Sequence, residues 1–192
     1  MLALWLGPAL SPGPATAKVF HSQESALALA FPDADRITSQ TRILTAAQSE
    51  AIQKLSRARL DTEIVRIHSG WRGEELLGYA YIDVHTVRTQ AEAFMVVLTP
   101  DGAVRSLRVL AFYEPLDYLP TERWVRQFEG KSAADSLRLG GDVHGIVGAT
   151  LSARAVTESV RRVLAFYRVL LRERDAHPAP SDWAPSDRAP SD

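Results

Sequence analysis

Apolar residues recur along this chain with two different periods, and the places where the period changes mark its elements. Between residues 22 and 31, Ala26, Leu27, Leu29 and Ala30 recur at helical spacing until Pro32 ends the run, as a residue without an N–H must. Residues 45–59 predict a second helix, with Ala46, Ala47, Ile52 and Leu55 on one side. From Glu63 to Trp71 the pattern turns to β character, and Leu76 to Val84 is a further strand after a turn at Gly73. Asp101-Gly102 stands between the apolar runs 94–98 and 104–112, a strong hairpin signal. Residues 121–128 predict a short helix, with Trp124 and Phe128 four positions apart and Pro120 suited to its first turn. The last helix is predicted from about Ala153 to Arg172, with Val156, Val160, Val163, Leu164, Tyr167, Leu170 and Leu171 as its apolar stripe. Arg161, Arg162 and Arg168 fall mainly on the other side and read as a solvated face. The fold class expected is α+β: an antiparallel twisted sheet of about four strands, flanking helices and a long C-terminal helix.

The strand at 76–85 carries two different faces. Gly78, Ala80, Ile82 and Val84 form a small, apolar set that suits a covered face. Leu77, Tyr79, Tyr81, Asp83 and His85 form the other. The second set reads either as a wall for a flat ring or as tyrosines on a half-exposed strand, where β propensity alone accounts for them.

Both ends of the chain differ from the middle. Leu2 to Leu10 is mostly apolar, and Ala15-Thr16-Ala17 fits a small-residue cleavage site, so residues 1–17 read as an export leader. Pro8, Pro12 and Pro14 interrupt it, which disfavours a membrane-spanning helix. At the other end Ala-Pro-Ser-Asp occurs at 179–182, 184–187 and 189–192. Proline in every unit forbids a helix or a sheet ladder, so residues 176–192 are expected to be a disordered tail carrying Trp183. One domain, 18–175, remains between them.

Composition narrows the chemistry. The chain has no cysteine, which excludes disulfides, thiolate metal sites and a Cys nucleophile. A net charge of -1 gives no general attraction to nucleic acid, and no basic stretch interleaves with aromatics. The five histidines (21, 68, 85, 144, 177) form no i, i+4 pair, so no metal site is expected. Gly130-Lys131-Ser132 lacks the upstream glycine of a phosphate-binding loop, and Gly141, Gly145 and Gly148 are not spaced as a dinucleotide fingerprint. No acid–base pair stands out as catalytic.

The segment with the most chemical content is Gly145-Ile146-Val147-Gly148-Ala149-Thr150-Leu151-Ser152. Thr150 follows two minimal side chains, and Ser152 is a candidate N-cap for the last helix. An alcohol is thereby set at a helix N-terminus, where unpaired N–H groups and the helix dipole favour an anion. A phosphate ester suits that setting, and Arg154 in the first turn would add a charge-assisted bond.

The same segment resembles the Ser/Thr-Gly-Ala-Thr motif of the FMN-binding domain family, whose members serve in the Rnf and sodium-pumping NADH:quinone reductase complexes and in related exported flavoproteins. The likeness extends upstream through the strand ending at Glu114, then Trp124, Gln127-Phe128 and Gly130-Lys131. It covers about residues 75 to 171 well and 20 to 74 loosely. The resemblance implies covalent FMN on Thr150, placed there by a flavin transferase, and an electron carrier between membrane and periplasmic partners. It also implies a site in which Gly148, Ala149, Thr150, Leu151, Ser152 and Arg154 meet the phosphate end. Tyr113, Tyr118 and Leu151 would wall the ring, and Glu114 would give a polar contact. The chain departs from the family in two places: His144 stands where an Asp is usual and Val147 where a Ser or Thr is usual, and after Glu114 the stretch Pro115-Leu116-Asp117-Tyr118-Leu119-Pro120 replaces a Thr-Pro-Gly-Leu-Gly-like loop. Asp142 is near but out of register by two. His144 has three open readings: a landmark for the transferase, a hydrogen-bond partner of the flavin, or a loop histidine held by backbone groups.

Overall fold

The computed structural model describes residues 18–87 and 90–172. The expected leader, the Ala-Pro-Ser-Asp tail with Trp183, and the His85 side chain lie outside the described residues. In chain order the elements are β1 (Lys18–Val19), α1 (Gln23–Ala30), β2 (Arg36–Ile43), α2 (Ala46–Ser56), β3 (Ile64–Arg72), β4 (Glu75–Val87), β5 (Gln90–Leu98) and β6 (Val104–Phe112). A 3-10 turn at Leu116–Tyr118 precedes α3 (Glu122–Val125), which runs into a second 3-10 turn at Arg126–Phe128. The long helix α4 (Thr150–Tyr167) ends in one π-helical turn, Arg168–Arg172. The class is α+β, as the periodicity implies.

The sheet is antiparallel throughout, in the order β1-β6-β5-β4-β3-β2. It has five long strands where about four are expected, with two-residue β1 on its outer edge. The unexpected strand is β2. Its sequence, RITSQTRI, is exposed or half-buried along its whole length, so it has no buried alternation to read. Pairing with β3 makes it a strand, from Arg36 opposite Trp71 to Ile43 opposite Ile64.

Short-range signals work where they carry their own hydrogen bonds. Ser22 caps α1 by accepting from the Ser25 N–H, and Thr45 and Gln48 close a capping box on α2. The hairpin at Asp101-Gly102 turns β5 into β6. Gly102 has φ +87°, and a Cβ there would lie 2.1 Å from the Tyr167 ring. Glycine is thus required both by the turn and by the helix end packed on it. The Tyr167 hydroxyl donates to the Pro100 carbonyl at 2.9 Å, fixing the far end of α4 to this hairpin.

Two hydrophobic layers sandwich the sheet. On one face Val65, Ile67, Tyr81, Phe94, Val96 and Leu107 pack with Ile52 of α2 and Val156, Val160, Val163 and Leu164 of α4. On the other, Ala80, Met95, Val97 and Leu110 meet Ala26, Leu27, Ala30 and Phe31 of α1. Each fully buried large side chain contributes about 1.5–3 kcal/mol. The apolar stripe expected on α4 is the face that packs, with Leu171 only partly buried.

Three sequence-based readings are corrected here. The tyrosine face of β4 is not a wall for a ring. Tyr81 stacks on Phe166 with centroids 5.8 Å apart, Tyr79 packs on Tyr167 at 5.9 Å, and α4 covers both. Arg162 is not solvated either: it lies beneath α4 with its Nη2 2.8 Å from the Asp83 carboxylate, and Nη1 donates to the Arg59 carbonyl at 3.1 Å. Asp83 belongs to the same β4 face as the tyrosines, so the helix must present a cation above it. Finally, α4 begins at Thr150 rather than near Ala153.

Candidate functional site

The start of α4 is shaped by the turn before it. The Ala149 N–H donates to the Ile146 carbonyl at 3.1 Å, and Gly148 holds φ +80°, a left-handed conformation open to glycine at little cost. This turn starts the helix early, with Ala149 as N-cap and Thr150 as its first residue. Ser152 is therefore not the N-cap. It lies within the first turn and is only 3% exposed, and no side chain caps the helix. Helix geometry leaves the N–H groups of Thr150, Leu151 and Ser152 without intrahelical acceptors, so the uncapped end keeps its affinity for an anion.

A cavity of about 260 Å³ opens at this end, lined by Glu114, Tyr118, Gly148, Ala149, Thr150, Leu151 and Ser152. Thr150 is exposed within it. Nothing lies within 4 Å of the place where a Gly148 Cβ would stand, so the approach to the Thr150 hydroxyl is open. Glu114 arrives two residues beyond the end of β6. Its Oε1 is closed off from solvent and has no hydrogen-bond partner among the described residues. A buried acceptor without a donor costs about 1–3 kcal/mol.

The loop presenting Thr150 is held from outside the cavity. The Trp124 indole N–H donates to the His144 carbonyl at 2.8 Å, and the Gln127 side-chain oxygen accepts from the His144 N–H at 2.7 Å. Trp124 also packs edge-on against buried Phe128, with centroids 5.4 Å apart. Trp124 of α3 and Gln127 of the 3-10 turn after it thus clamp both backbone groups of one loop residue. Upstream, Asp142 accepts from the Ser136 hydroxyl at 2.8 Å and from the Leu137 and Arg138 N–H groups at 2.8 and 2.6 Å. The Arg138 N–H foremost, with those other donors, holds the Asp142 carboxyl down at about 2. Asp142 is a loop staple, and its side chain is engaged away from Thr150.

Of the residues singled out from the sequence, the fold brings Glu114, Tyr118, Gly148, Ala149, Thr150, Leu151 and Ser152 to one cavity. Tyr113, Arg154 and His144 are not among its lining residues. Tyr113 is half-buried beside it in sequence, Arg154 is exposed on the first turn of α4, and the His144 side chain is exposed while its backbone is clamped. Gln127 entered the sequence reading only as part of the family likeness and Asp142 only as out of register; their clamping and stapling roles depend on contacts with irregular loop backbone, which periodicity does not show. Among the described residues no group of three or more His, Cys, Asp or Glu could hold a metal, and no helix is long and apolar enough to cross a membrane.

No model of a known protein family matches the chain, and no curated protein matches it either.

Proposed function

We propose that this protein is an exported FMN-binding electron carrier, with FMN joined to Thr150 through a phosphoester. The observation that carries the reading is an exposed threonine as first residue of an uncapped 18-residue helix, at the mouth of a cavity. The unpartnered Glu114 oxygen fits a ligand with an N–H or O–H to donate, as flavin has. Main-chain N–H groups of residues 150–152 would face the phosphate, and Tyr118 and Leu151 would border the ring. When bound, flavin would supply the one- and two-electron chemistry, and the protein would supply position and shelter.

Attachment needs a separate flavin transferase. The Thr150 Oγ1–P bond forms as a P–O bond of the flavin nucleotide donor breaks; the Thr150 proton passes to the transferase, and the rest of the nucleotide leaves. Membrane and periplasmic redox partners complete the reading, and nucleic acid has no part in it.

The test is the intact mass of the protein produced in its own host, beside Thr150→Ala. A gain equal to FMN minus water in the wild type alone supports the tether, and an unmodified wild-type mass overturns it. A second reading rests on His144 and on Val147, which is fully exposed at a place where the family has a hydroxyl. In that reading the cavity takes FMN reversibly, or the fold serves as a flavin-free periplasmic interaction module. Yellow colour released on denaturation identifies the first, and colourless protein the second.

A further inference from the structure

Of the three arginines read as a solvated face, Arg168 is exposed as expected, whereas Arg161 and Arg162 are largely buried. Arg162 is neutralised by Asp83. Arg161 is different. Its side chain is only 15% exposed, its nearest carboxylate contact is Glu158 at 3.9 Å, and its Nε is closed off from solvent with no hydrogen-bond partner. It faces a notch of about 40 Å³ between α2, the 132–137 loop and α4, which Arg57 and Arg168 also line.

The notch is strongly cationic. Arg57 sits in the left-handed C-cap position of α2, φ 54°, and gives one N–H to the Ser136 carbonyl. Arg168 is exposed at the start of the π-helical turn. The one carboxylate in the lining, Asp135, is already engaged: it lies 3.5 Å from Lys131 and accepts from the Ser132 N–H and hydroxyl at 2.9 and 3.1 Å. Three guanidinium groups thus share a space whose acid is occupied by a fourth cation. Burial, and secondarily Arg57, push the Arg161 guanidinium below its ordinary value, and Glu158 at 3.9 Å offsets this only in part.

We propose that this notch is an anion site for one phosphate-class oxyanion, free or carried on a small metabolite, held by Arg57, Arg161 and Arg168. Guanidinium groups bind tetrahedral oxyanions through paired N–H donors. The volume corresponds to roughly three water-sized spheres, which suits a single phosphate head and is too small for a nucleotide. The site is separate from the Thr150 cavity. Arg161 is eleven residues along α4 from Thr150, roughly 16 Å of helix rise, so the proposal stands whether or not Thr150 carries flavin.

The test is calorimetric titration of the full chain with inorganic phosphate at fixed ionic strength, repeated on Arg161→Gln, Arg168→Gln and Thr150→Ala. Saturable binding in the wild type and in Thr150→Ala, weakened about tenfold or more in both arginine variants, is the expected result. Should Arg161→Gln fail to fold, exposed Arg168 decides alone. No saturable heat in the wild type, affinity unchanged in the arginine variants, or binding lost in Thr150→Ala overturns the proposal.

Discussion

The Trp124 indole N–H donates to the His144 carbonyl at 2.8 Å, and the Gln127 side-chain oxygen, in the 3-10 turn that follows α3, accepts from the His144 N–H at 2.7 Å. A residue whose side chain points to solvent is therefore the anchor of the loop that carries Thr150. Trp124→Phe keeps the edge-on contact with Phe128 and removes only the donor. It should cost about 1 kcal/mol in urea unfolding and raise amide exchange across residues 143–149 more than in the sheet. Exchange unchanged in that loop would mean that the clamp does not hold it.

Asp83 and Arg162 form a well-shielded ion pair, with side chains 15% and 10% exposed. Removing one partner strands the other, so Asp83→Asn should destabilise the protein by about 3 kcal/mol in denaturant melts. Adding Arg162→Met should recover part of that loss, because the stranded charge is then gone as well. A double variant as unstable as the sum of the single ones would refute the coupling.

His68 is 1% exposed, with Nδ1 2.7 Å from the Ser39 hydroxyl. Burial first, and the charge of Arg66 second, push its pKa below 6.5. The native state therefore keeps it neutral where the unfolded chain takes up a proton. Its contribution to stability is complete above about pH 6.5 and is lost as pH falls below that value toward the depressed native pKa, with a slope of up to about 1.4 kcal/mol per pH unit. His68→Gln should flatten this fall between pH 6.5 and 5 in urea melts. An identical slope in the variant would assign the effect to other groups.

Glu114 presents an acceptor without a donor inside the candidate site. Glu114→Met, of similar length and without the carboxylate, should stabilise the ligand-free protein by about 1 kcal/mol and weaken its hold on added FMN. Thermal melts with and without FMN measure both effects. Lower stability without ligand would show that the carboxylate is structurally required instead.

What could be read from the sequence was local and periodic. The helices at 22–31 and 45–59, the hairpin at Asp101-Gly102 and the apolar stripe of the last helix each express a pattern of a few residues, backed by caps and turns that form within a few positions. The crowding of small residues before Thr150 marked the place where a cavity opens for the same reason. What lay beyond reach needed distant partners. β2 is a strand only because β3 pairs with it. Ser152 has the chemistry of an N-cap, yet Gly148 starts the helix before it. Tyr79, Tyr81 and Asp83 read as a ring wall or a half-exposed strand face until α4 lies across them, and Arg162 looks solvated until it lies over Asp83, 79 positions away in the chain. Periodicity tells which residues share a face; only the tertiary structure decides what covers that face, because desolvation and ion pairing depend on groups far apart in sequence. Glu114 and Thr150 come to one cavity by the same rule: Glu114 follows the end of β6 and Thr150 opens α4, and packing α4 on the sheet that contains β6 brings those two ends together.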